Sequence, residues 1–163
     1  MDHIVYLALG SNLGNRLSNL KNAVSNLPPQ MEVKKKSLVY ETPPWGHTDQ
    51  PHFLNQVVMV HTYMEPEDLL GHIKRLETVL GREPTFENGP RVIDIDILFY
   101  GDKIVDEKNL KIPHPEFEKR KFAIVPLKEM LPEFLHPVTK KSIKEIYSRC
   151  PDKLGVRCIS INK

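Results

Sequence analysis

Two aspartates, Asp94 and Asp96, interrupt the apolar run "RVIDIDILFYG" at residues 91–101. Residues two apart on a strand share a face, so both carboxylates point the same way, flanked by Val92 and Leu98. Ile93, Ile95, Ile97 and Phe99 then fall on the opposite, core-facing side, and the acids are expected in mid-strand. Asp is depleted in strands, and neighbouring like charges repel unless a cation lies between them. Hard oxygen ligands without His or Cys beside them suit Mg²⁺ better than zinc, and Mg²⁺ commonly joins one or two carboxylates to substrate phosphates. On residue type and position alone, a magnesium site and a solvated outer face stand equally open.

The segment "REPTFENGPR", residues 82–91, precedes that strand and shows no periodicity. A connection of this kind in a compact domain is more often a lid or binding loop than a plain linker. Arg82 and Arg91 stand at its ends. A guanidinium fork matches phosphate geometry, so the loop could close over a polyphosphate; the alternative for Arg91 is a surface ion pair with Glu83 or Glu87. "GSNLGNR", residues 10–16, follows a strand and opens a helix but lacks both the G-x-x-x-x-G-K-[ST] and G-x-G-x-x-G spacings. It reads as a tight turn and helix start, so any nucleotide must be held by the acids and arginines.

The elements that must position these groups follow from periodicity. "HIVYLALG" is a strand. Leu17, Leu20, Val24 and Leu27 recur at helical spacing after Asn15, and Pro28-Pro29 ends that helix. "MEVKKKSLVYE" and "FLNQVVMVHTYM" read as two strands joined by "TPPWGHTDQPH", residues 42–52. Pro66 opens a second helix with Leu69, Leu70, Ile73, Leu76 and Leu80 on one side, and Gly81 closes it. The acidic strand comes next, then a turn at "YGDK". Strand–helix–strand–strand–helix–strand predicts an α+β, ferredoxin-like antiparallel sheet with helices on one face. "KRKFAIVPLKEM" and "SIKEIYSRC" predict further helices and "VRCISI" a late strand, a C-terminal elaboration of a single domain spanning 1–163.

Composition narrows the class. A chain of 163 residues with 40% hydrophobic and 27% charged residues is ordinary for one soluble globular domain. A formal net charge of +2 argues against a nucleic-acid-wrapping surface. The fourteen prolines, in "LPP", "TPPWG", "IPHP" and "LPEFLHP", indicate rigid, ordered loops. Neither a signal peptide nor a spanning helix is expected, and Cys150 and Cys158 read as reduced thiols of a cytoplasmic protein. His47, His52, His61, His72 and His136 show no ligand spacing, and Lys34-Lys35-Lys36 reads as a solvated, edge-protecting run.

The pieces "ALGSNLGNR", "YETPPWG", "DQPHFLN", "LGR", "GPRVIDIDIL", "IPHP" and "RKFAIVPL" occur in order between residues 8 and 127. Together they resemble the 6-hydroxymethyl-7,8-dihydropterin pyrophosphokinase family of folate biosynthesis, with "GPRxxDxDIL" as the most specific signature. The resemblance implies transfer of the β,γ-diphosphate of ATP to a pterin's hydroxymethyl group with release of AMP, and it implies two Mg²⁺ ions as cofactors. It implies that Asp94 and Asp96 bind metal and that Arg82 and Arg91 handle phosphate as catalytic residues. Thr42, Pro43, Trp45, Phe53, Asn55 and Phe122 match pterin-pocket positions, and His114 and Arg120 match positions near ATP. Glu77, on the stripe of the second helix, matches an acid that orients a loop arginine; a solvated carboxylate is the plainer alternative.

A flat polar bicycle needs aromatic faces and edge-on hydrogen bonds, which Phe53, Phe122 and the Asn55 amide could supply. Glu87 and Asn88 depart from the family's frequent basic residue and Trp before "GPR", and Glu116 stands where Arg is frequent. The implied partners are small molecules, with neither nucleic acid nor membrane, and the implied state is a monomer. An RNA-recognition module shares the strand–helix order but needs exposed aromatics and a basic surface, which this chain lacks. A regulatory domain that binds a metabolite without chemistry gives no reason for paired acids beside an arginine-bearing loop.

Overall fold

A computed structural model describes residues 2–44, 49–86 and 89–159. Strand β1 (His3–Ser11) leads through helix α1 (Arg16–Ser25) to β2 (Met31–Lys36), β3 (Tyr40–Thr42) and β4 (Phe53–Thr62). Helix α2 (Pro66–Val79) precedes β5 (Asp94–Tyr100), and a small hairpin of β6 (Val105–Glu107) and β7 (Leu110–Ile112) follows. A short 3₁₀ turn (Phe117–Lys119), α3 (Lys121–Met130), α4 (Ile143–Arg149) and β8 (Arg157–Cys158) complete the described elements.

Local chemistry sets the helix starts. The Asn15 side chain accepts the Ser18 N–H at 3.0 Å, capping α1. Pro66 occupies the first turn of α2, where its missing N–H is harmless and Glu67 and Asp68 favour the helix dipole.

The strands form an antiparallel sheet in the order β5–β1–β4–β3–β8, and β2 also pairs with β4. The predicted single strand over 31–41 is therefore two strands sharing one edge of β4. Ser37 marks the break. Buried between them, it exchanges both backbone-type bonds with Val57: its N–H donates to Val57 O at 2.9 Å, and its Oγ accepts Val57 N–H at 3.0 Å.

Helices α1 and α2 bury Leu20, Ala23, Leu27, Leu69, Ile73 and Leu76 against Val5, Leu7, Leu9, Ile93, Ile95 and Ile97. Each such side chain contributes roughly 1.5–3 kcal/mol by leaving water. The C-terminal elaboration does not extend that layer but covers the other face: Ala123, Ile124 and Leu127 of α3 and Ile143 and Ile146 of α4 pack on Tyr6, Val57, Leu98 and Phe99. Helices thus lie on both faces.

Two strand expectations change. Asp94 is the first residue of β5, so the acids open the strand instead of occupying its middle. Phe99 belongs to the second face. The register runs Tyr6↔Phe99 and then Leu7↔Ile97, so Leu98 is an extra residue, and this bulge reverses the alternation beyond it. Among the described residues, no helix is long and apolar enough to cross a membrane.

Candidate active site

An open cleft of about 600 Å³ lies where β1, β3, β4 and β5 meet the loop before β5 and the start of α3. Its floor follows from strand register. Asn55 on β4 and Asp94 on β5 both pair with Gly10 on β1, while Ala8 pairs with Asp96. The acids and the amide thus face one another across β1, which presents Gly10 and Ala8 on that face, with Leu9 between them also lining the cleft. An added Cβ at Gly10 would lie 3.2 Å from Asn55 Oδ1 and 3.5 Å from Phe53 Cδ1, tighter than the amide tolerates without moving. Glycine at this position keeps the floor open.

One end of the cleft combines aromatic side chains with a fixed amide. Asn55 is buried and its Nδ2 donates to Thr42 Oγ1 at 2.7 Å, which fixes the orientation of the amide. Thr42, Pro43 and Phe53 line this end from the β3 and β4 sides, and Phe122, near the start of α3, lines it from the other. The Arg120 guanidinium carbon lies 5.6 Å from the Phe122 ring centroid, a cation–π distance. Trp45, also expected here, lies outside the described residues.

The other end carries the charges. Asp94, Asp96, Arg91 and Arg120 line the cleft together. Arg82 Nη1 donates to Asp94 Oδ1 at 3.2 Å, and Arg91 Nη1 donates to Asp94 Oδ2 at 3.1 Å. Burial and the neighbouring Asp94 charge push the Asp96 carboxyl up to about 7. A carboxyl held this far above its ordinary range is short of positive charge, which suits a cation ligand. Among the described residues, no cluster of three or more His, Cys, Asp or Glu groups could hold a metal by protein alone. Two carboxylates completed by phosphate and water oxygens is an arrangement Mg²⁺ accepts, so the donor set fits.

Glu77 is not a solvated carboxylate. It is 2% exposed, accepts Arg82 Nη1 at 2.7 Å, and accepts the Ile95 N–H at 2.8 Å. One buried acid therefore fixes both the arginine at the loop's start and the backbone between the two aspartates. Arg91 pairs with Asp94 instead of Glu83; Glu87, the other acid considered for it, lies outside the described residues, as does Asn88. Among the described residues Arg91 Nε is buried with no hydrogen-bond partner, so the guanidinium has an N–H to give to an incoming oxygen. Gly89 permits the turn before it: its N–H donates to Phe86 O at 2.9 Å, and a Cβ would sit 2.7 Å from Thr85 Oγ1. A second, open groove is lined by Lys74, Glu77, Arg82 and Arg91.

His114 lines neither cavity, yet it belongs to the same neighbourhood. Its backbone N–H donates to Leu98 O on β5 at 3.0 Å, and its Nδ1 accepts the Glu116 N–H at 3.1 Å. The proton of the neutral ring is therefore on Nε2. Burial and the Arg120 charge push this imidazole down to about 4. Glu116, read as a departure from a frequent Arg, serves here through its backbone.

Sequence reasoning missed Asn12. Its buried amide accepts the Arg91 N–H at 2.8 Å and donates to Gln50 Oε1 at 2.8 Å and Pro51 O at 3.0 Å. It thus joins the arginine loop to the connection that precedes Phe53. The "GSN" motif signalled a turn, and nothing in its spacing disclosed that partner.

The pattern of the family described as 7,8-dihydro-6-hydroxymethylpterin-pyrophosphokinase (HPPK) matches residues 6–132. The chain is 46% identical over 141 residues to the 2-amino-4-hydroxy-6-hydroxymethyldihydropteridine pyrophosphokinase of Aquifex aeolicus, covering 86% of this chain and 88% of that one. It is 43% identical over 136 residues to the folic acid synthesis protein FOL1 of Dictyostelium discoideum, covering 83% of this chain but only 21% of that longer protein. A crystal structure of a Plasmodium falciparum HPPK-DHPS triple mutant superposes with a TM-score of 0.76 at 20% identity, over 91% of this chain and 43% of that one. The last likeness concerns the fold.

Proposed function

The chain belongs to the 7,8-dihydro-6-hydroxymethylpterin-pyrophosphokinase family, and from that membership we propose how its cleft works. It transfers diphosphate from ATP to the hydroxymethyl group of 6-hydroxymethyl-7,8-dihydropterin in folate biosynthesis. In this reading the pterin lies between Phe53 and Phe122, with its polar edge on Asn55 and with Thr42, Pro43 and Trp45 around it. Each aromatic face contributes about 0.5–1.5 kcal/mol beyond burial. The ring's hydroxymethyl group then projects along the small-residue floor toward the acids. That floor, Gly10 and Ala8 between Asn55 and the two aspartates, is the observation that carries the proposal.

Asp94 and Asp96 would hold Mg²⁺, two ions in the family's manner. When bound, Mg²⁺ neutralises triphosphate charge and lowers the pKa of the alcohol. The alcohol oxygen attacks the β-phosphorus and its proton is released to solvent, while the bond from that phosphorus to the AMP oxygen breaks and AMP leaves. Arg82 and Arg91 leave Asp94 for the phosphate oxygens and stabilise charge there. Arg120 and the Nε2–H of His114 supply further donors to ATP, and Glu77 keeps Arg82 aimed. Closure of residues 82–91 excludes water, which would otherwise compete as acceptor.

The remaining parts of the reading follow from the same base. The β5–β1–β4 order with α1 and α2 on one face supports a ferredoxin-like plan, and both cores share that sheet, which supports one domain over 1–163. The protein is read as a cytoplasmic monomer acting on small molecules, without nucleic acid or membrane. Product analysis tests the reaction: ATP, Mg²⁺ and hydroxymethyl-dihydropterin should yield AMP and the pterin diphosphate. ADP as the sole nucleotide product would reject it.

A further inference from the structure

Arg16 occupies the first position of α1, whose first turn contains no acid. A cation there opposes the helix dipole, so the helix gains nothing from it. Its Nη1 instead makes two bonds, to Glu41 Oε2 at 2.8 Å and to the His52 carbonyl at 3.0 Å. Glu41 immediately precedes Thr42, and His52 immediately precedes Phe53. A single nitrogen therefore fastens both ends of the 43–52 connection.

The need for such a fastening comes from the sheet. Strands β3 and β4 pair only at Tyr40↔Asn55, Glu41↔Leu54 and Thr42↔Phe53, and the last of these pairs is the end of the ladder. Ladder ends open most easily. Opening would shift the Thr42 hydroxyl that holds the Asn55 amide and move the Phe53 ring beside it. Glu41 is anchored from outside as well: its Oε1 accepts from Arg157 of β8, which pairs with it in register. The two arginines hold the Glu41 carboxyl below its usual range, so both its oxygens stay available as acceptors. On the β5 side, Arg82, Arg91, Asp94 and Glu77 bond one another and the Ile95 N–H, and among the described residues none of them bonds Arg16, Glu41 or His52. The two sides meet through Asn12, which joins the Arg91 N–H to Gln50 and Pro51.

We propose that Arg16 is a positioning residue for the pterin end of the cleft, setting the spacing of Thr42 and Phe53 by bonding Glu41 and the His52 carbonyl at once. The role rests on the pyrophosphokinase reading and deepens it. Because Nη1 alone makes both bonds, a lysine ammonium can replace much of the effect.

Pterin and a non-hydrolysable ATP analogue, each with Mg²⁺, are titrated separately against the full chain by fluorescence and calorimetry. Arg16→Met is expected to weaken pterin binding about tenfold, the change that about 1.4 kcal/mol makes, and to leave the ATP-analogue constant within about twofold. Arg16→Lys should recover most of the loss. Arg157→Ala, at a side chain 74% exposed, should shift pterin affinity in the same direction by a smaller factor, and it serves alone if Arg16→Met does not fold. Unchanged pterin affinity in these variants, or equal weakening of both ligands, would overturn the positioning role. Wild-type protein that binds the ATP analogue but no pterin would instead overturn the pyrophosphokinase reading, and the positioning role with it.

Discussion

Asp94 gives its two carboxylate oxygens to two different arginines, Oδ1 to Arg82 at 3.2 Å and Oδ2 to Arg91 at 3.1 Å. The groups read as phosphate-binding are thus occupied by a group read as metal-binding. Cation binding at Asp94 and release of the arginines toward ATP become one exchange of partners. The two guanidiniums neutralise the Asp94 carboxylate, and a cation has to compete with them.

Removing one guanidinium should therefore act in opposite directions on metal and on turnover. Arg82→Met or Arg91→Met is expected to tighten Mg²⁺ binding to the nucleotide-free protein, measured by calorimetry. Turnover should fall about 10²–10³-fold, the usual loss when a donor to developing charge is removed. Weaker or unchanged Mg²⁺ binding would mean that Asp94 is not the shared partner.

Asp96 gives a pH signature. Its carboxyl titrates near 3.8 when unfolded and is raised to about 7 in the fold. A raised acid contributes stability fully below the unfolded value, and that contribution is lost as pH rises toward 7. Ionised Asp96 thus destabilises the ligand-free protein at pH 8. Asp96→Asn should raise the ligand-free Tm at pH 8 by about 2–4 °C, the shift that about 1 kcal/mol gives a chain of this size. The gain should vanish at pH 4, and most turnover should be lost. A variant that melts lower than wild type at pH 8 would contradict this.

Much of this site is legible in the sequence because its strongest determinants are local. Alternation placed Asp94 and Asp96 on one face, and it placed Asn55 with Phe53, whatever the rest of the chain does. The bulge at Leu98 is not local: it answers the packing of Phe99 against Phe117, 4.9 Å between ring centroids, and so the parity of Phe99 was misread. The position of Asp94 at the start of β5 is not local either, since the strand begins where its ladder with β1 ends, at the Gly10↔Asp94 pair. Asn12 was unreadable for a related reason. Its partners lie at Arg91, Gln50 and Pro51, and a turn motif carries no record of contacts so distant in sequence.

Glu77 tests how much of the site depends on one buried acid. Glu77→Ala leaves the Ile95 N–H without its acceptor and Arg82 with Asp94 alone, so unfolding in urea should show a loss of about 2–3 kcal/mol. Glu77→Gln keeps an oxygen for the Ile95 N–H and should recover at least half of that stability while turnover stays low, because the charge that aims Arg82 is gone. Full activity in Glu77→Gln would separate Arg82 from Glu77.

Gly10 makes the claim about the floor measurable. Alanine there puts a methyl 3.2 Å from Asn55 Oδ1 and 3.5 Å from Phe53 Cδ1. The amide must give by a few tenths of an ångström, which strains its bond to Thr42 Oγ1 at 2.7 Å. Gly10→Ala is therefore expected to raise the pterin KM about tenfold, a shift of about 1.4 kcal/mol, with the ATP KM little changed. Parallel increases in both KM values would place the damage in the fold instead of the pocket.

His114 supplies the last pH test. Its imidazole is pushed down from 6.5 to about 4 by burial and by Arg120, with Nδ1 engaged by the Glu116 N–H. A depressed base contributes stability present above pH 6.5, and that contribution is lost as pH falls through 4, because the folded state resists taking the proton that the unfolded state accepts. Wild-type Tm should therefore carry a His114-dependent decline between pH 6.5 and 4, and His114→Gln should flatten it. The same shift keeps the ring neutral at pH 6 to 8, so it acts as an Nε2–H donor and never as a cation toward ATP. Nuclear magnetic resonance titration of the ring checks this directly. A midpoint near 6.5 in the folded protein would remove the decline.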